Sequence, residues 1–209
     1  MRFPVSFLQA ALPLLLILAG PADAREWNVV KSSGTIIAAT EGGFQPFNYY
    51  ERFAPGTPDR AAHIKDGEDF ERDIAAGTLP AVSFYKPAGR YTQHPSYTDI
   101  KSGDEHMAAL LTKLRASPQW KDMLIVLTYD ENGGYWDHVP PPTGSGWGDR
   151  LGPGTRIPAL IVGPNVKRGF VDHTSYDTGS ILKFITRRFG LEPLPGVREK
   201  NGDLSAALQ

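Results

Sequence analysis

MLIVLTYDENGGYWDHVPPP, residues 123–142, decides how this chain folds. It opens on an apolar run that meets no polar side chain before Thr128. A strand buried on both faces needs that pattern, whereas a half-exposed strand would alternate apolar with polar. Asp130 and Glu131 follow where the strand must end, then Asn132, Gly133 and Gly134, and a little later Asp137 beside His138. In open α/β sheets ligands bind beyond the carboxyl ends of the strands. The paired carboxylates therefore stand where chemistry is expected.

Elements of the same kind extend on either side. Phe70 and Ile74 lie one turn apart in a predicted helix over 66–76, with Gly77 as its stop. An apolar strand is expected over 81–85, ending at Lys86 and Pro87. Met107, Leu110, Leu111 and Leu114 share one face of a predicted helix over 104–116. A short strand over 157–162 precedes a helix over 178–189, in which Ile181, Leu182, Ile185 and Phe189 point inward and Gly190 caps the end. A brief strand is also expected at 35–39. Strand and helix alternate, which predicts an α/β fold with a mainly parallel sheet flanked by helices on both faces. FQPFNYYERFAPGTPDR, from Phe44, spends too many aromatic residues for a linker and reads as an ordered loop.

Composition narrows the function. The 209 residues are 41% hydrophobic and 22% charged, a globular balance, and a net charge of -1 gives no basis for nucleic acid as a partner. There is no cysteine, so disulfides and thiolate metal sites are excluded, and any metal must be held by oxygen or imidazole. At the N-terminus Arg2 precedes the apolar stretch FLQAALPLLLILAG and then Ala22, Asp23 and Ala24. That arrangement predicts a secretory signal over 1–24, cleaved after Ala24. The run is too short to span a bilayer comfortably. The expected product is periplasmic or secreted, without a stable membrane span.

Two adjacent carboxylates repel each other unless one is protonated or a cation lies between them. A divalent metal would resolve the conflict at Asp130 and Glu131; an acidic turn facing solvent is the bland alternative. Pro95 holds His94 extended, so its imidazole can project from a loop near the strand ends, there to meet a phosphoryl oxygen or protonate a leaving group. A plain surface histidine is the other reading. His138 is either oriented by Asp137 in support of the site or part of a loop lock. His63, His106 and His173 read as structural or surface residues, and Arg156 as packing at the start of a strand. The chain has no G-x-S-x-G elbow, no phosphate-binding loop with Lys-Ser/Thr and no H-E-x-x-H.

LIVLTYDENGGYWDHVPPP, GPGTRIPALIVGP and KRGFVDHTSYDTGSILKFITRRFGLEPLPG, in that order, resemble the bacterial phosphoesterase family of acid phosphatases and phosphatidylcholine-type phospholipases C. QPFNYYERFAPGT, AGTLPAVSFYKPAG and HPSYTDIKSGDEH resemble its acid phosphatase branch. The resemblance implies an alkaline-phosphatase-like α/β sandwich and hydrolysis of phosphate esters, monoesters favoured over phospholipids, at a metal-bearing site. It places Asp130 and Glu131 as metal ligands, His94 on the phosphoryl group, and Asn132, Asp137 and His138 in support.

The family's early Glu-Asn metal pair and its Ser or Thr nucleophile have no counterpart segment here. Residues 25–43 are unmatched, and 44–209 resemble the C-terminal half of a phosphoesterase domain joined directly to the signal. The nucleophile is therefore unassigned, and reduced or absent activity is expected of the chain by itself. The alternative is a secreted non-catalytic module that keeps part of a metal site.

Overall fold

The computed structural model describes residues 13–19, 37–39, 53–96, 98–143, 153–197 and 199–209. Its elements are β1 (Pro13–Ala19), β2 (Ile37–Ala39), α1 (Pro58–His63), β3 (Ile64–Lys65), α2 (Gly67–Ala76), β4 (Val82–Tyr85), α3 (Ile100–Ala116), β5 (Met123–Tyr129), β6 (Ala159–Val162) and α4 (Gly179–Phe189).

Caps set the helix limits. The Asp66 carboxylate accepts from the Asp69 amide at 2.9 Å to start α2, and Gly77 ends it in the left-handed region at φ 71°. Helix α3 begins at Ile100, four residues ahead of the expected start, because Asp99 accepts from both the amide (2.7 Å) and the hydroxyl (2.8 Å) of Ser102. The cap draws a polar turn into the helix before its apolar stripe starts. In α4 the inward residues are Ile181, Phe184, Ile185 and Phe189. Leu182, expected inward, lies just off that stripe and is 37% exposed. Pro158 lacks an N–H for the ladder, and β6 starts one residue after it.

The six strands are ordered β3-β2-β4-β1-β5-β6. Strand β2 pairs parallel with β3 and β4, while β1 runs antiparallel to both β4 and β5, and β6 antiparallel to β5. The sheet is therefore mixed, not mainly parallel. Between β5 and β6 no helix is found among the described residues, and a return without a crossover helix is antiparallel. The other reversed strand, β1, is the stretch that reads as the apolar part of a secretory signal. The remainder of 1–24, the segment 25–43 apart from β2, and the aromatic stretch ahead of Phe53 lie outside the described residues.

Alternation along β5 divides the core. Met123 and Ile125 join Phe70, Ile74, Leu110 and Leu114 on the side of α2 and α3. Leu124 and Val126 join Ile181, Phe184, Ile185 and Phe189 beneath α4. Successive strand side chains point to opposite faces, so helices do cover both. Ile125 and Leu114 are fully enclosed at 0% exposure, which fixes the position of β5 and hence of the residues that follow it. No helix among the described residues is long and apolar enough to cross a membrane.

Candidate functional site

Strand β5 delivers Asp130 and Glu131 to the carboxyl edge of the sheet. The chain then turns at once: Gly133 and Gly134 adopt φ 61° and 82°, a left-handed pair that side chains with a Cβ disfavour. The turn is tied internally. Glu131 Oε2 accepts from the Gly133 amide at 2.9 Å, and Asn132 Oδ1 from the Gly134 amide at 3.0 Å. The Asn132 amide nitrogen donates to Thr155 Oγ1 at 2.5 Å, binding the turn to the segment that leads into β6.

The second oxygen of Glu131, Oε1, is buried and makes no hydrogen bond. A buried acceptor left in this way costs roughly 1–3 kcal/mol unless something fills its lone pairs. Asp130 differs: Lys86, the residue that follows β4, brings its ammonium to 3.6 Å from Asp130 Oδ2. Burial pulls the Lys86 pKa down, and Asp130 opposes that shift. The sequence reading assigned Lys86 no role. Its only signal was a cation placed at the very end of an apolar strand.

The loop bearing His94 reaches the same strand end through its neighbour. The Tyr129 hydroxyl donates to Gln93 Oε1, and burial raises the Tyr129 pKa. Gln93 and Ser96 both have left-handed backbones, at φ 58° and 80°, on either side of His94. Such strain in non-glycine residues is concentrated at functional sites, where the surrounding structure enforces it. His94 is only 6% exposed, so the reading of it as a plain surface residue is overturned. Its Nδ1 lies 2.5 Å from the Pro95 carbonyl oxygen, an acceptor that suits the tautomer with its proton on Nδ1.

Asp137 and His138 part company. Arg156 donates from Nε and from Nη2 to the two Asp137 oxygens, at 2.8 and 3.0 Å, and the Val139 amide adds a bond at 2.7 Å. The Arg156 hydrogen bonds, followed by the Val139 amide, hold the Asp137 carboxyl down at about 2. Arg156 is therefore half of a clamp between the loop after β5 and the approach to β6, rather than packing at a strand start. His138 stands outside the clamp, 88% exposed, its Nδ1 3.5 Å from Asp137. His106 is structural as expected: it bonds the Tyr85 hydroxyl at 2.8 Å and stacks on Tyr91 at 4.4 Å. A separate groove of about 600 Å³, lined by Phe84, Thr178, Ile181 and Leu194 among others, takes none of its lining from Asp130, Glu131 or His94.

This geometry sits within a long sequence match, because the model of the phosphoesterase family covers residues 24–192. The chain belongs to the phosphoesterase family. A non-hemolytic phospholipase C of Pseudomonas aeruginosa is 28% identical over 194 residues, covering 77% of this chain and 28% of that protein. One of Burkholderia pseudomallei is 32% identical over 175 residues, covering 68% and 25%. Phospholipase C B of Mycobacterium tuberculosis is 32% identical over 151 residues, covering 62% and 28%. The chain spans about a quarter of the length of these curated relatives.

At the end of β5 the oxygen donors whose chemistry suits a metal are Asp130 and Glu131. Both are hard oxygen ligands, and the orphaned Glu131 Oε1 fits a cation. Among the described residues no group of three or more His, Cys, Asp or Glu gathers as a complete ligand set.

Proposed function

We propose that the chain binds and hydrolyses phosphoric esters with a divalent metal held by Asp130 and Glu131, in a sandwich of the alkaline-phosphatase type. The observation that carries this reading is the buried, unpartnered Oε1 of Glu131 at the carboxyl edge of the sheet. A divalent ion bound there would supply positive charge against phosphoryl oxygens. Lys86 adds a fixed cation beside Asp130 and orients that carboxylate. His94, on the segment that Gln93 ties to Tyr129, would exchange a proton with the leaving oxygen. Asn132 and the clamp between Asp137 and Arg156 hold the loop in shape, with His138 at its rim.

Turnover by this chain is expected to be weak. Phosphoryl transfer through an enzyme nucleophile needs that group activated and in line with the leaving oxygen, and the sequence carries no segment resembling the family's own. The acid-phosphatase-like segments favour monoesters, while the relatives' names point to phospholipid diesters. The phosphoryl chemistry is common to both. Export after cleavage at Ala24 completes the reading.

The test uses the purified full chain with an aryl phosphate and, separately, a phosphatidylcholine, with and without manganese, calcium or zinc. Asp130→Asn and Glu131→Gln run alongside, and calorimetric metal binding supplies a readout independent of turnover. Metal-stimulated hydrolysis, reduced at least about tenfold in both variants, is the expected result. Metal binding without hydrolysis would favour the non-catalytic module. A folded chain that binds no divalent ion would sink the proposal.

A further inference from the structure

Strands β4 and β5 run in the same direction but do not pair with each other; both pair with β1. The register sets Leu15 to Leu18 against all of β4, and the whole of Pro13–Ala19 against all of β5. Without β1 the two facing edges would stand about 10 Å apart, two inter-strand spacings, too far to bond directly. The gap would lie in the interior of the sheet, between strands whose Val82, Tyr85, Met123 and Ile125 are at most 6% exposed. Unpaired N–H and C=O groups at such a place are costly and act as a template for another strand.

The occupant matches its place. PLLLILA is apolar at every position, a composition that suits a strand with a bonded neighbour on each side, and its proline is the first residue, where a missing ladder donor is tolerated. The mouth of the gap is spanned by an ion pair, because Lys86 follows β4 and Asp130 follows β5 with 3.6 Å between their charges. The same stretch is the apolar part of the expected secretory signal, so cleavage after Ala24 would sever β1 from the rest of the chain.

We propose that the space between β4 and β5 is a strand-accepting slot, filled in cis by Pro13–Ala19 and able to take an extended apolar segment of another polypeptide in its place. Main-chain bonds to two edges would supply affinity, and apolar side chains at every position would supply selectivity. The slot does not depend on the hydrolase reading. Occupancy would, however, set the separation of Lys86 and Asp130, and so link strand binding to the carboxylate pair.

The experiment begins with the folded full chain carrying a specific protease site between Ala24 and Arg25. After cutting, native gel filtration with mass analysis shows whether fragment 1–24 stays bound. A fluorescein-labelled peptide of residues 12–20 flanked by lysines is then added, beside the same peptide with Leu16→Pro. Retention of the fragment and its displacement by the first peptide alone is the expected result. Release with loss of cooperative unfolding, restored by the first peptide only, supports the slot equally. Release with an unchanged melting temperature overturns it. In the uncut chain Leu16→Pro should lower the melting temperature by about 10 °C or more, and a variant that melts like the parent also overturns the proposal.

Discussion

Asp137 accepts two hydrogen bonds from Arg156 and one from the Val139 amide, which together hold its carboxyl at about 2. The folded protein thus favours the charged form. The stabilisation is fully present above about pH 4, where an unfolded aspartate is ionised, and is lost as pH falls towards about 2. Asp203 titrates in the same window: burial opposes its charge, but Ser205 and Arg187 outweigh burial and keep it at about 2. Asp137→Asn is expected to flatten the fall of melting temperature between about pH 4 and about pH 2, leaving the share that belongs to Asp203, Asp172 and Asp99, whose carboxyls are also held below the usual range. Thermal melts across that range check this, and a variant with the parent's full acid slope would show that the clamp adds nothing. Sequence spacing suggested His138 as the partner of Asp137 because the two are adjacent. Geometry adds Arg156, which offers a planar fork to both oxygens, while His138, 88% exposed, keeps a looser 3.5 Å contact.

Helix α3 shows how an element can hold a loop. A Cβ on Gly103 would come to 2.3 Å from Gln93 Cγ and 2.8 Å from the Tyr91 carbonyl oxygen, so only glycine allows the helix this close to the segment beside His94. Intrinsic propensity favours alanine over glycine inside a helix by about 1 kcal/mol. The contact with backbone reverses that sign. Gly103→Ala is expected to destabilise the protein by roughly 1–3 kcal/mol in urea unfolding and to displace Gln93 from Tyr129. A neutral or stabilising result would mean that the loop yields freely. Helix α3 was largely legible in the sequence, because Met107, Leu110 and Leu114 keep a helical period that local packing enforces. Its close approach to the 91–93 segment was not, since a glycine in a helix carries no mark of what lies against it.

Across the whole molecule the mixed sheet leaves β6 at a rim, with Leu160 59% exposed. An exposed apolar side chain on an edge strand invites pairing with another copy. Leu160→Lys is expected to reduce light scattering on warming with little change in the unfolding midpoint, and unchanged aggregation would place the liability elsewhere. The sequence by itself determined β5, the caps of α2 and α4, the apolar stripes that cover both sheet faces, and the carboxylate pair beyond a buried strand. Each of these is written within a few consecutive residues by periodicity, a cap or a turn. Only the tertiary structure decided that Pro13–Ala19 enters the middle of the sheet, that β1 and β6 run antiparallel, and that Lys86 meets Asp130 while Arg156 meets Asp137. Strand direction and ion-pair partners depend on which distant segments the packed core brings side by side, and no local pattern encodes that.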